Sequence, residues 1–127
     1  MIKMLLVALG GMIGSVLRYS TVNYFILFFG RLYPFGVLCV NVVGSLIIGC
    51  CAAYGYQYLR GAASDFLTAF VMVGIMGGFT TFSSFSLDTF TMMYEGKWVL
   101  ALVNILASVV LCILATALGF YMMMKLT

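Results

Sequence analysis

The chain has 127 residues, 65% hydrophobic and only 7% charged, with a formal charge of +3 and no histidine. A soluble domain carries about 25% charged residues, so this chain lacks the polar surface to stay in water. Its six scattered Lys and Arg residues form no nucleic-acid patch and read as interfacial anchors. The expectation is one all-α domain, 1–127, integral to the lipid bilayer.

The first predicted element follows Lys3. The apolar run from Met4 to Leu17 has the outline of a signal peptide, but no small-residue cleavage site follows and the chain stays hydrophobic past Arg18 to Phe29. One membrane helix over 4–29 is the better reading. Gly10 and Gly14, and Gly11 and Ser15, are spaced four apart, which lets another helix approach closely.

The stretch G-R-L-Y-P-F-G, 30 to 36, is a connection holding Arg31 and the single proline, Pro34. The second span is predicted over 36–58. On it Val37, Asn41, Ser45 and Gly49 fall four apart and share a face. An amide in hydrocarbon needs partners, since burying it unsatisfied costs about 2–7 kcal/mol. Asn41 is therefore either an interhelical hydrogen-bonder or a donor lining a pore.

After a short connection from Arg60 to Asp65, the third span is predicted over 66–94. It is uncharged from 66 to 87 and long enough to cross a bilayer. Its middle is wrong for a plain helix. Gly77 and Gly78 are poor helix residues, and Thr80, Thr81, Ser83, Ser84 and Ser86 crowd hydroxyls at the expected bilayer centre. Irregular backbone at that depth persists only where it is buried in protein or lines a cavity. The expectation is a helix broken near 77–80, with freed carbonyls facing a cation. Phe82 and Phe85, three apart, would share a face beyond the break.

Glu95, Gly96 and Lys97 make a tight turn, and a fourth span is predicted over 98–124. Asn104, Ser108, Cys112 and Thr116 recur every four residues along it as a mildly polar stripe. Tyr24, Tyr33, Tyr58, Tyr94, Trp98 and Tyr121 lie near span ends, as an aromatic belt does. Cys39, Cys50, Cys51 and Cys112 all fall inside spans. Their spacing fits no zinc pattern, so they read as small apolar residues.

With four spans, Lys3, Arg60 and Lys125 lie on one side of the membrane. Arg18, Arg31 and Lys97 lie on the other if Arg18 snorkels outward. That balance gives almost no orientation preference. It suits a protein that inserts both ways and assembles as an antiparallel, dual-topology homodimer, although six bases are few for such a count.

The chain is poorly equipped for catalysis, which needs an acid, base or nucleophile with a partner. A proton-coupled transporter normally keeps a carboxylate deep in the bundle, and the first, second and fourth spans have none. What remains is neutral: hydroxyls, amides, backbone carbonyls and phenyl rings. Phenyl edges are their positive side, so Phe82 and Phe85, with Asn41 and the serines, suit a small anion. Packing alone is the plainer role for two phenylalanines.

These stretches resemble the Fluc (CrcB) fluoride channels of bacteria. G-G-M-I-G-S-V-L-R, 10 to 18, is similar to that family's first-helix glycine pattern. P-F-G-V-L-C-V-N-V-V-G-S, 34 to 45, is similar to its proline-to-asparagine motif. G-G-F-T-T-F-S-S-F-S, 77 to 86, is similar to its third-helix signature and is the most specific of them.

The resemblance implies a passive channel in the bacterial inner membrane, an antiparallel dimer with two pores, that exports fluoride and relieves its toxicity. It implies Phe82 and Phe85 as pore phenylalanines beside Asn41, a polar lining of Ser83, Ser84 and Ser108, and Arg18 near the vestibule. It also implies backbone carbonyls of Gly77 and Thr80 on a structural sodium ion (Na+) at the dimer centre. Val37, Cys112 and Asp88 stand where the family commonly has threonine, serine and glutamate. The alternative is a four-helix transporter of the small multidrug resistance type, against which the missing first-helix carboxylate argues. A structural subunit with no transport is a third possibility, which the polar third span disfavours.

Overall fold

The computed structural model describes residues 1–126, and these form helices joined by short connections. Helix α1 covers Ile2–Phe29 and α2 covers Phe35–Tyr58. The third span, Ala62–Tyr94, is assembled from α3 (Ala62–Phe66), a π-helical segment (Leu67–Met76), α4 (Gly77–Phe79) and α5 (Phe82–Tyr94). The last helix, α6, covers Trp98–Leu126. Four helical stretches are thus long and apolar enough to cross a membrane, and together they describe a multi-pass membrane protein.

The connections follow from local chemistry. Gly30 takes a left-handed φ of 72° and returns its amide to the Ile26 carbonyl at 2.9 Å, closing α1. Pro34 stands at the N-cap of α2, where its missing N–H costs nothing. Gly96, at φ 77°, lets the chain reverse between Glu95 and Lys97, which pair at 2.7 Å. At the other end of the bundle Lys3 pairs with Asp65 at 2.9 Å, tying the start of α1 to the start of the third span.

Between helices in lipid there is no hydrophobic drive, so close packing and hydrogen bonds hold the bundle together. Two tight seams result. Helix α2 packs most extensively on α6, where a Cβ on Gly49 would collide with the Thr116 carbonyl and one on Gly119 with the Leu46 carbonyl. Helix α1 packs on the π segment and α4. A Cβ on Gly10 or Gly14 would collide with the Phe70 or Ile75 carbonyl, and one on Gly78 would come within 2.7 Å of the Gly11 carbonyl.

The glycines of the third span therefore act differently from the sequence expectation. Gly77 is helical, with φ −62° and ψ −36°, and Gly78 lies with it in α4. Gly78 is small because α1 passes against it, not because the helix opens there. The backbone leaves the helix two residues later, at Thr80 (φ −80°, ψ 157°) and Thr81 (φ −152°, ψ 112°). The ten-residue π segment before α4 was not foreseen at all.

The outer surface is apolar, with large hydrophobic side chains exposed along every span. The interior carries polar side chains: Thr81, Thr89, Asn104 and Ser108 are all buried. The four cysteines are partly exposed and unpaired.

Candidate functional site

The break at Thr80 and Thr81 interrupts the helical hydrogen-bond ladder, and each freed group must find another partner. The Thr81 amide would pair with the Gly77 carbonyl in a continuous helix. Instead it donates to Oδ1 of Asn41 at 2.7 Å. Nδ2 of Asn41 in turn donates to the Thr81 carbonyl at 3.1 Å. One side-chain amide on α2 thus grips both polar groups of one peptide residue, much as a neighbouring strand would. Asn41 is an interhelical hydrogen-bonder and a cavity-lining residue at once.

Thr81 then starts α5. Its Oγ1 accepts from the Ser84 amide at 3.2 Å, the usual N-cap bond. The same hydroxyl bonds Oγ of Ser84 at 3.1 Å and lies 3.2 Å from Oγ of Ser83. On the other side of the break, Thr80 turns its hydroxyl back to the Met76 carbonyl at 2.9 Å. The guanidinium of Arg18 donates to the Thr80 carbonyl at 3.5 Å. Two half-helices therefore meet head to tail. The first ends in carbonyls, which favour positive charge, and the second begins in N–H groups, which favour negative charge.

Two cavities flank this junction. One, of about 410 Å³, is lined by Asn41, Ser45, Thr80, Thr81, Phe82, Phe85, Ser108 and Cys112, among others. The rings of Phe82 and Phe85 sit 5.3 Å apart at 56°. Phe85 is buried, whereas Phe82 is 77% exposed. The other cavity, of about 850 Å³, opens between α1, α2 and α5 and holds Arg18, Arg31, Val37, Ser84, Asp88 and Glu95. Arg18 thus turns inward to the break and does not act simply as an outward anchor. Acids and bases share this wider chamber, while no ionisable side chain except the thiol of Cys112 lines the narrower one.

Of the residues singled out from the sequence, Asn41, Thr80, Phe82, Phe85 and Ser108 converge on the narrower cavity. Ser84 and Arg18 line the wider one. Ser83 is exposed beside Thr81, and Gly77 is exposed and lines neither cavity. Thr81 was read from the sequence only as one of the crowded hydroxyls, not as the peptide that Asn41 grips or the cap of α5. Its signal was present: a threonine three residues before Ser84, at the head of a helix, has the spacing of an N-cap.

The donor set bears on a cation at the break. Oxygen ligands from unwound backbone are the usual means of holding sodium in a membrane protein. The Gly77 carbonyl has lost its helical partner to Asn41, and Gly77 is exposed. The Thr80 carbonyl takes one bond from Arg18 and retains a second lone pair. The residues fit such an ion, but two oxygens are few for a complete coordination shell. Among the described residues no cluster of histidine, cysteine or acidic side chains competes for a metal.

A four-helix membrane protein with a polar, uncharged break beside a pair of phenyl rings is the class this geometry defines. The model of the CrcB-like protein, Camphor Resistance (CrcB) family matches residues 5–120, and the chain belongs to that family. It is 48% identical over 113 residues to the fluoride-specific ion channel FluC of Magnetococcus marinus, covering 89% of this chain and 90% of that one. It is 44% identical over 119 residues to the FluC of Parabacteroides distasonis, covering 94% and 91%. It is 45% identical over 119 residues to that of Shewanella denitrificans, covering 94% of each.

Proposed function

We infer that this protein is a passive fluoride channel of the bacterial inner membrane, exporting fluoride from the cytoplasm and catalysing no reaction. The observation that carries the inference is the narrow cavity at the break. It offers amide and hydroxyl hydrogens and phenyl edges, with no carboxylate among its lining residues. The relatives' shared name, fluoride-specific ion channel, supports the same ion. Fluoride is small and tightly hydrated, so a pore must replace its water with close donors, as other filters do. The multidrug transporter alternative lacks its central requirement, since α1 contains no acidic residue.

Within this reading Asn41, Phe82, Phe85, Ser83, Ser84 and Ser108 form the fluoride path, and Arg18 draws anions into the wider chamber. Phe82 stands exposed next to a buried partner ring, which supports a second copy of the chain completing the path. Near-equal numbers of bases on the two membrane sides support an antiparallel, dual-topology homodimer. A sodium ion on the Gly77 and Thr80 carbonyls would hold the two copies together by neutralising converging carbonyl ends. Exchanging sodium for N-methyl-glucamine during purification should then shift the protein from dimer to monomer on sizing chromatography. A dimer indifferent to sodium would remove the cation from the account.

Passive conduction is tested with fluoride-loaded proteoliposomes and a fluoride electrode. Efflux should wait for a potassium ionophore to short the membrane potential, because a lone anion carries charge with it. Full efflux without the ionophore would mean coupled exchange and would refute a channel.

A further inference from the structure

A second buried polar chain lies about two turns beyond the break, and the fluoride path does not account for it. Asn104 on α6 is 1% exposed, more deeply buried than any other polar side chain of the bundle interior. Its Nδ2 donates to Oγ1 of Thr89 at 2.9 Å. The Thr89 hydroxyl spends its own proton on the Phe85 carbonyl at 2.7 Å. Thr89 and Phe85 are both buried. We propose that Asn104, acting through Thr89, is a positioning residue for Phe85: the relay from α6 fixes the peptide that carries the ring and so sets how sharply the path discriminates fluoride from larger halides. The proposal rests on the fluoride-channel reading above.

Three observations favour positioning over simple satisfaction of a buried amide. First, the relay ends on the carbonyl of Phe85 itself, one of the two rings facing the narrow cavity. A hydroxyl bonded to the carbonyl four residues earlier bends its helix slightly, so this bond adjusts the backbone at Phe85. Second, the hydroxyl of Thr89 donates and accepts at once, and successive bonds of this kind strengthen one another in a low-dielectric interior. Third, Ser108 lies one turn beyond Asn104 on the same face of α6 and lines the same cavity as Phe85. Anchoring Asn104 to Thr89 therefore sets the height of Ser108 opposite the Phe85 ring. A small, strongly hydrated ion depends on that span far more than a large one does, because only close donors replace its water.

The test is the ratio of fluoride to chloride efflux from proteoliposomes holding wild type, T89V, T89S, N104L and the N104L/T89V double variant. Valine keeps the shape of Thr89 and deletes the hydroxyl, whereas serine keeps the hydroxyl. The ratio should fall about tenfold in T89V and in N104L, the scale of one interhelical hydrogen bond in a membrane. T89S should hold the wild-type ratio, and the double variant should fall no further than T89V. If N104L yields no dimer, the contrast of T89V with T89S decides alone. A structural role alone would lower yield or melting temperature and leave the ratio of the surviving channels unmoved. An unchanged ratio in T89V, or a fall in T89S equal to that in T89V, would overturn the proposal. Wild-type vesicles that move no fluoride would overturn the channel reading itself, and the proposal with it.

Discussion

The two halves of the third span are held by opposite means. Before the break, the π segment and α4 lie flush against α1, and the contact is made of glycines and carbonyls at the limit of approach. Beyond it, α5 is held by side-chain hydrogen bonds: Asn41 on the Thr81 peptide, Thr81 on Ser84, and Asn104 on Thr89. The first half is a rigid wedge with no tolerance for added volume. The second is a polar frame, in which geometry is set bond by bond and can be altered bond by bond. A path selecting among halides belongs on the second kind of support.

Breaking the wedge should give the largest effect. Gly14→Leu forces a side chain into the Ile75 carbonyl. Overpacking of this kind costs about 1–3 kcal/mol and at times more, and here backbone cannot yield without parting α1 from the third span. The expected outcome is loss of monodisperse protein on sizing chromatography. Recovery of normal monodisperse protein would show that the seam tolerates a side chain.

Asn41→Leu comes next. It removes both bonds to the Thr81 peptide and leaves a buried donor and acceptor, each costing about 1–3 kcal/mol. Fluoride efflux should be abolished and the melting temperature lowered, although the chain still inserts. Efflux at the wild-type level would show that the break holds its shape without α2.

Phe82→Ile and Phe85→Ile sharpen the comparison, since they leave the frame intact and change only the rings. Each should slow fluoride efflux by about tenfold, in keeping with the worth of a favourable ring-edge contact, while elution volume and melting temperature stay near wild type. Undiminished efflux in both would take the rings out of the path. The smallest effect is expected of Cys112→Ser, which adds a better donor to the cavity wall. A neutral hydrogen bond is worth about 1 kcal/mol, so efflux should rise by no more than about fivefold. A fall would mean that the thiol is not standing in for a hydroxyl.

Much of this arrangement could be read before any coordinates. Four apolar runs define four helices, because a bilayer dictates their length. The hydroxyl-rich middle of the third span signalled a break, since such residues are out of place in hydrocarbon. Asn41 stood out for the same reason, Phe82 and Phe85 for their shared face beside those hydroxyls, and the three meet at one cavity. Other features were hidden. The π segment arises from how the third span seats on α1, and no residue pattern in L-T-A-F-V-M-V-G-I-M announces an i→i+5 register. Gly77 and Gly78 suggested opening of the helix, yet a glycine equally serves close approach, and only the neighbour's position decides which. Asn104 looked like one member of a polar stripe with Ser108, Cys112 and Thr116. Its near-complete burial against Thr89 depends on how α5 and α6 cross.

The central claim is that an uncharged opening in a broken helix passes fluoride by supplying donors close enough to replace its water. The most direct test compares fluoride and chloride efflux from a single preparation of wild-type proteoliposomes, with the potential shorted. Rapid loss of fluoride with chloride retained is the predicted result, and equal loss of the two halides would contradict it.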